Sequence, residues 1–192
     1  MAVARAAADM VSTPDEAQKL EVIRLGHPIL RQVADPVPEE YFGSSRLHDL
    51  FRNMARTMGE EEGVGLAAPQ VAEALRLFVY RIPGDGEMAA VEPTLLANPE
   101  IRAIGSEAEE GWEGCLSIPG LRGLVPRHKR IKVRARSLEG QSVSFTADSF
   151  QARVIQHEFD HLEGVVYLDR MTSPSSLAFE KEWERYILRA DE

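Results

Sequence analysis

Cysteine is almost absent: Cys115 is the single one in 192 residues. An internal disulfide is therefore excluded, and the thiol must serve as packing, nucleophile or metal ligand. No apolar run approaches the roughly 20 residues that a membrane span needs, so a soluble chain with no membrane partner is expected. Basic side chains are outnumbered, 22 against 31 acidic, and the formal charge of −9 disfavours DNA as a partner. Repeats and long Pro, Gly or Ser linkers are also missing, which points to one domain. Residues 1–20 lack the apolar core of a signal peptide and carry Asp9, Asp15 and Glu16, unlike an acid-poor transit peptide. They read as a loose tail, ahead of a catalytic domain over 21–170 whose final helix occupies 171–192.

What is present is ordinary globular composition, 44% hydrophobic and 28% charged. Leu47, Leu50, Phe51, Met54 and Met58 recur at helical spacing, with Ser44 or Ser45 as cap and Gly59 beyond, and predict a helix from about Leu47 to Met58. LRLFVYRI, ending at Pro83, reads as a strand. Shorter strands are expected at Thr94–Ala97, Ile101–Ile104, Cys115–Ile118 and Ile131–Ser137, the last turning through Leu138-Glu139-Gly140-Gln141 into SVSFTA. Asp148 with Gln151 gives a capping-box pattern for a helix that carries Phe150, Val154, Ile155 and Leu162 and stops at Gly164. A last helix is expected from Ser173-Pro174 through Trp183 and Ile187. The sum is an α+β fold, with antiparallel β-sheets packed around a central helix and a C-terminal helix to follow.

That central helix reads Gln156-His157-Glu158-Phe159-Asp160-His161. Histidines at i and i+4 share one helical face and suit a single tetrahedral ion, with Glu158 placed to reach a water beside it. In the HExxHxxGxxH pattern a third histidine would stand at position 167, which holds Tyr167. Glu180, Glu182 and Glu184 are available downstream as a third ligand, and Cys115, in Glu113-Gly114-Cys115-Leu116-Ser117, is the better candidate because a thiolate binds strongly and glycine lets backbone approach. Gly63-Val64-Gly65-Leu66-Ala67-Ala68-Pro69-Gln70 is not a phosphate loop; its small residues admit a peptide backbone, and the Gln70 amide suits an oxyanion. From Lys129 to Arg136, basic and apolar residues alternate with strand period, which reads as a solvated face.

GVGLAAPQ, EGCLS and QHEFDHLEG, in this order, resemble the three motifs of the peptide deformylases of bacteria and organelles. The likeness extends to Gly26-His27-Pro28-Ile29-Leu30-Arg31 and to SIPGLRGLVPR. It implies a metal-dependent hydrolase that removes the formyl group from N-terminal formylmethionine and releases formate. It further implies that Cys115, His157 and His161 hold the metal, and that Glu158 is general base and then general acid. Gln70 and the Leu116 N–H would face the oxyanion, and Glu113 with Arg127 would form a supporting ion pair. Val64, Gly65 and Gly114 would lie along the substrate backbone, and Phe150 and Val154, with Val64 and the His157 ring, would wall the methionine pocket, with Arg153 at its mouth. Fe²⁺ is the expected ion, with Zn²⁺, Ni²⁺ or Co²⁺ able to substitute. The expected partner is a formylmethionyl peptide, with transient ribosome contact as a further expectation, for a monomer of the cytoplasm or of an organellar stroma or matrix. Rival readings are an HExxH endopeptidase with a glutamate ligand, a hydrolase with Cys115 as nucleophile, and a non-catalytic metal binder.

Overall fold

The computed structural model describes residues 17–84 and 89–188. Most of the segment expected to be a loose tail, residues 1–16, lies outside them. Residues 17–20 run along the first helix, where Gln18 N donates to Asn53 Oδ1 (2.6 Å) and Leu20 N to Thr57 Oγ1 (2.8 Å).

That helix, α1, spans Ser45–Glu60 and is capped by the Ser44 hydroxyl, which accepts from Leu47 N. It is followed by β1 (Gly65–Ala67) and β2 (Leu77–Ile82). The next strand, β3, spans Val91–Ala103 and joins two expected strands into one. A register break between Ala97 and Glu100 absorbs the irregularity. Asn98 sits there at φ +49° and ties its side chain to Val37 N (2.8 Å) and O (3.1 Å); asparagine tolerates that left-handed conformation.

β4 (Ala108–Cys115) and β5 (Ile118–His128) form a long hairpin. The expected strand over Cys115–Ile118 is instead the tip of this hairpin, because Cys115 pairs directly with Ile118 and Leu116-Ser117 make the turn. β6 (Arg130–Arg136) and β7 (Ser142–Asp148) follow, paired antiparallel. The first sheet has the order β1-β2-β3-β6-β7, and the second is β4-β5-β8, where β8 is Ala178–Phe179. β1 and β4 are thus edge strands.

α2 (Ser149–Leu162) packs against strands of both sheets. The expected capping box is not formed: Asp148 makes no side-chain cap, and Gln151 Nε2 donates to Tyr80 Oη (3.3 Å). Asp148 is the last residue of β7, paired with Arg130, and Ser149 enters the helix at φ +49° with its N–H on Lys129 O (2.9 Å). The helix stops at Gly164 (φ +69°), where a Cβ would meet the Arg31 carbonyl carbon at 2.7 Å, so only glycine fits.

α3 (Tyr167–Arg170) is a single turn. The last helix differs from expectation too: α4 spans only Glu180–Tyr186. Leu177 is extended (ψ 125°), and Ala178 and Phe179 pair with Arg122 and Leu121 of β5, which breaks the helix expected from Ser173.

The first sheet is covered on both faces, which explains the unbroken apolar run of β2. Leu77 and Val79 pack with Leu47, Met54 and Met58 of α1. Phe78, Tyr80 and Ile82 face the other way, with Val154, Ile155 and Leu162 of α2 and with Ile131 and Val133 of β6. α2 is therefore held as the middle layer, and its inner face carries the chemistry.

Candidate metal centre

Cys115 stands at the tip of the β4–β5 hairpin and the two histidines on α2. One ligand atom from each of Cys115, His157 and His161 lies within 4.8 Å of the others, the sole such cluster of metal-binding side chains among the described residues. Cys115 Sγ is 3.3 Å from His161 Nε2, and the two imidazole centroids are 5.1 Å apart. His157 Nδ1 is 2.8 Å from Glu113 Oε2, which leaves Nε2 as its ligand atom. Glu180, the nearest rival carboxylate in sequence, pairs instead with Arg122.

The electrostatics suit an ion. Burial raises the Cys115 pKa, but His161 and His157 outweigh it and bring the thiol down to about 5, which favours the thiolate that a metal would bind. His157 is pulled the opposite way: burial lowers its pKa, yet Cys115 and Glu113 raise it well above the ordinary value. A soft thiolate and two imidazoles at this separation fit a divalent transition metal, and binding one displaces the imidazole proton.

Glu158 lies beside the cluster, 4% exposed, and its Oε2 has no hydrogen-bond partner among the described residues. Burial is the main cause that pushes this carboxyl up to about 7, against the lowering pull of His157 and His161. Its place is made by Gly65, where a Cβ would stand 2.1 Å from Glu158 Oε1. Gln70, 2% exposed, is fixed by Ala67 N donating to its Oε1 (2.8 Å). Its Nε2 points at Cys115 Sγ (3.4 Å) and Ser117 Oγ (3.2 Å). Leu116, next to the cysteine in the turn, accepts from Arg24 Nη1 through its carbonyl.

A cleft of about 560 Å³ opens onto this centre, and its lining includes Val64, Gly65, Gly114, Phe150, Val154 and His157. The cleft thus brings Val64, Gly65, Gln70, Glu113, Gly114, Leu116, Phe150, Val154 and Glu158 together around Cys115, His157 and His161. Arg127 donates to Glu113 through Nε and Nη2, both at 2.9 Å, and both side chains are nearly sealed from solvent.

The sequence reading missed the extent of this pair. Arg127 Nη1 also donates to Asp160 (2.6 Å), which takes two further bonds from Arg170 at 3.1 and 2.7 Å. Arg153, expected at the pocket mouth, does line the cleft, but it also donates to Glu113 Oε1 (2.8 Å) and to the carbonyls of Val125 (2.8 Å) and Glu109 (2.7 Å). The available signal was helical spacing: Asp160 lies three residues past His157 and so shares its face. Burial raises the Glu113 pKa, but His157 and Arg127 outweigh it and hold the carboxyl well below the usual carboxylate range.

A thiolate, two imidazoles and an unpartnered buried carboxylate at the floor of a cleft define a metal-dependent hydrolase site. Residues 19–176 match the family model for polypeptide deformylase. The chain is 42% identical over 176 residues to peptide deformylase 2 of Nostoc sp., covering 88% of this chain and 96% of that one. It is 44% identical over 163 residues to peptide deformylase 1 of Xanthomonas campestris pv. campestris, covering 83% and 94%. The fold is similar to that of a class I type b peptide deformylase from Acinetobacter baumannii in a Met-Ala-Ser-bound crystal structure, with a TM-score of 0.77, 36% identity, and 81% and 100% of the two chains covered. The chain belongs to the polypeptide deformylase family. It is a metal-dependent hydrolase that removes the formyl group from the N-terminal formylmethionine of new polypeptides and releases formate.

Proposed function

We propose that Cys115, His157 and His161 hold the ion, that Glu158 moves the proton, and that Gln70 and the Leu116 N–H stabilise the oxyanion. The observation that carries this reading is the buried Glu158 carboxylate, unpartnered beside the three ligands and raised to about 7. A general base poised near the working pH is suited to take a proton and then return it. When bound, the ion supplies Lewis acidity to the formyl carbonyl and to the attacking water. Glu158 takes the proton of that water and delivers it to the departing amine. The Gln70 amide, already aimed at the cysteine, donates to the oxygen on which charge develops. Glu113 accepts from His157 Nδ1 and so orients the ligating nitrogen, while Arg127 keeps Glu113 ionised.

The extended substrate backbone runs between Val64-Gly65 and Gly114, and the methionine side chain enters the pocket bounded by Val64, Phe150, Val154 and the His157 ring. Support comes from the shared cleft and from the Acinetobacter baumannii relative, whose crystal structure is described as bound to Met-Ala-Ser. The native ion is Fe²⁺, on the ground of the family resemblance; the donor set also accommodates Zn²⁺, Ni²⁺ and Co²⁺. The enzyme acts as a cytoplasmic monomer, or in an organellar stroma or matrix in a eukaryote. Its catalytic domain spans residues 21–170, with 171–192 as its final segment and 1–20 as a tail. The outward side chains of β6 offer a surface for transient ribosome contact.

The test is formate release from formyl-Met-Ala, formyl-Asp-Ala and acetyl-Met-Ala, with metal content measured on the same preparation. Formyl-Met-Ala should react much faster than the other two. Comparable kcat/KM for the three would overturn the reading.

A further inference from the structure

The two oxyanion donors named above come from separate layers of the fold. Gln70 stands in the short 3₁₀ helix Ala68–Val71 that follows β1 of the first sheet, and Leu116 in the turn at the tip of the β4–β5 hairpin of the second. No strand pairing joins the two sheets among the described residues. One segment ahead of both, Ile23-Arg24-Leu25, bonds to each of them. Ile23 N donates to Gln70 O (2.9 Å) and Leu25 N to Ser117 O (2.9 Å). Between them, Arg24 Nη1 donates to Leu116 O (2.5 Å). Ser117, fully buried, closes the circuit, because its Oγ accepts from Gln70 Nε2 (3.2 Å). Both carbonyls of the Leu116-Ser117 turn are therefore taken by this segment, Leu116 O by a side chain and Ser117 O by backbone. Arg24 is exposed and lines the cleft together with Glu61 and Glu62, yet it pairs with no carboxylate among the described residues. Its charge is directed at a neutral carbonyl, a bond stronger than one between two neutral groups.

We propose that Arg24 is a positioning residue for the reaction. It holds the Leu116 turn at the tilt that aims the Leu116 N–H at the developing oxyanion, in step with the Gln70 amide. The proposal rests on the deformylase reading of the cleft, which assigns those two donors their role. The N–H and the carbonyl of Leu116 belong to the two peptide units that meet at its Cα, so a clamp on the second limits the swing of the first. The flanking bonds from Ile23 and Leu25 are main chain to main chain and survive a change of side chain. Arg24 is thus the one adjustable anchor of the three. Donors of this kind act through preorganised geometry, and a misplacement of about 1 Å can cost up to about 10²-fold in rate. The cost falls on the transition state, because the full charge that the N–H must meet exists only there.

The experiment measures kcat and KM for formyl-Met-Ala on the metal-loaded enzyme, on Arg24→Ala and on Arg24→Lys, with metal content and melting temperature taken on the same preparations. Arg24→Ala should lower kcat about tenfold and leave KM within about twofold, with metal content and melting temperature unchanged. Arg24→Lys, which keeps a cationic donor of similar reach, should recover most of the rate. A second readout is independent of turnover. Arg24→Ala should bind the product Met-Ala as the parent does, and should bind an H-phosphonate analogue of the tetrahedral adduct about tenfold more weakly. An unchanged kcat in Arg24→Ala would overturn the proposal. So would a raised KM at constant kcat, the mark of a cation that binds substrate, or equal losses of affinity for product and analogue. Loss of the ion or of the fold in Arg24→Ala would overturn it in favour of a purely structural role. Failure of the underlying reading would look different, as no formate from the unsubstituted enzyme.

Discussion

At the scale of single residues, the proposed roles divide the centre into groups that would hold an ion and groups that would act beside it. Replacing Cys115 by alanine should strip the ion and abolish activity, whereas Glu182→Ala and Glu184→Ala should be mild; metal analysis beside formate release checks this. Glu158→Gln should retain the metal and lose about 10² to 10⁴ in rate, the usual range for general acid–base help. If iron is the native ion, activity should decay in air and persist with nickel or cobalt, because a thiolate beside a redox-active ion is open to oxidation. Full activity from a zinc-only preparation kept in air would reverse that assignment. Glu113 gives a pH prediction. Its folded pKa lies below the unfolded value of about 4.5, so the stability it contributes is complete above pH 4.5 and is lost as pH falls through the folded value. The midpoint of urea unfolding should therefore drop on acidification from pH 5 toward 3, with a shallower slope in Glu113→Gln. At neutral pH that variant should already be weaker by about 3 to 5 kcal/mol, because it leaves the buried Arg127 charge short of a partner. His157, His161 and Glu158 were legible as candidates in the sequence because a helix fixes their spacing locally, and Cys115 because it is the single thiol. Asp160, Arg170 and the anchoring of Arg153 were not, because the network turns on Arg127 of β5 and on carbonyls and a carboxylate of β4 and β5, whose positions only the tertiary fold decides.

At the scale of elements, the sequence signals worked where local chemistry had no competitor. Ser44 caps α1 as its type suggests, and Gly164 ends α2 because no other residue fits against Arg31. They failed where pairing overrode local preference: Asp148 is held in β7 by Arg130, residues 178 and 179 are drawn onto β5, and Cys115 and Ile118 close a hairpin. Two glycine substitutions separate the roles of the elements. Gly164→Ala should cost stability, by about 1 to 3 kcal/mol, through a left-handed residue crowded against backbone. Denaturant titration should show a lower midpoint. Gly65→Ala should instead spare the fold more than the rate, because its Cβ meets the Glu158 carboxylate rather than the core. A variant with unchanged kcat would count against the position assigned to Glu158.

At the scale of the whole molecule, the proposed ligands come from different layers, the cysteine from the second sheet and the histidines from α2. An ion held by all three therefore ties the β4–β5 hairpin to the helix, and chelation should lower the melting temperature as well as the rate. β6 buries Ile131, Val133 and Ala135 and turns its basic side chains to the opposite face. Charge reversal at Lys132 and Arg134 should leave turnover of short peptides unchanged, and a salt-dependent loss of co-sedimentation with ribosomes would mark that face as a contact. The two sheets meet the cleft along the edges formed by β1 and β4, at Gly65 and Gly114. An edge reads amide groups, which every polypeptide possesses, so a chain laid between them is accepted for its geometry before its composition. A single gene product can then serve an entire proteome, processing thousands of unrelated beginnings with one set of tools, while differences among those beginnings would adjust only the order in which they are finished.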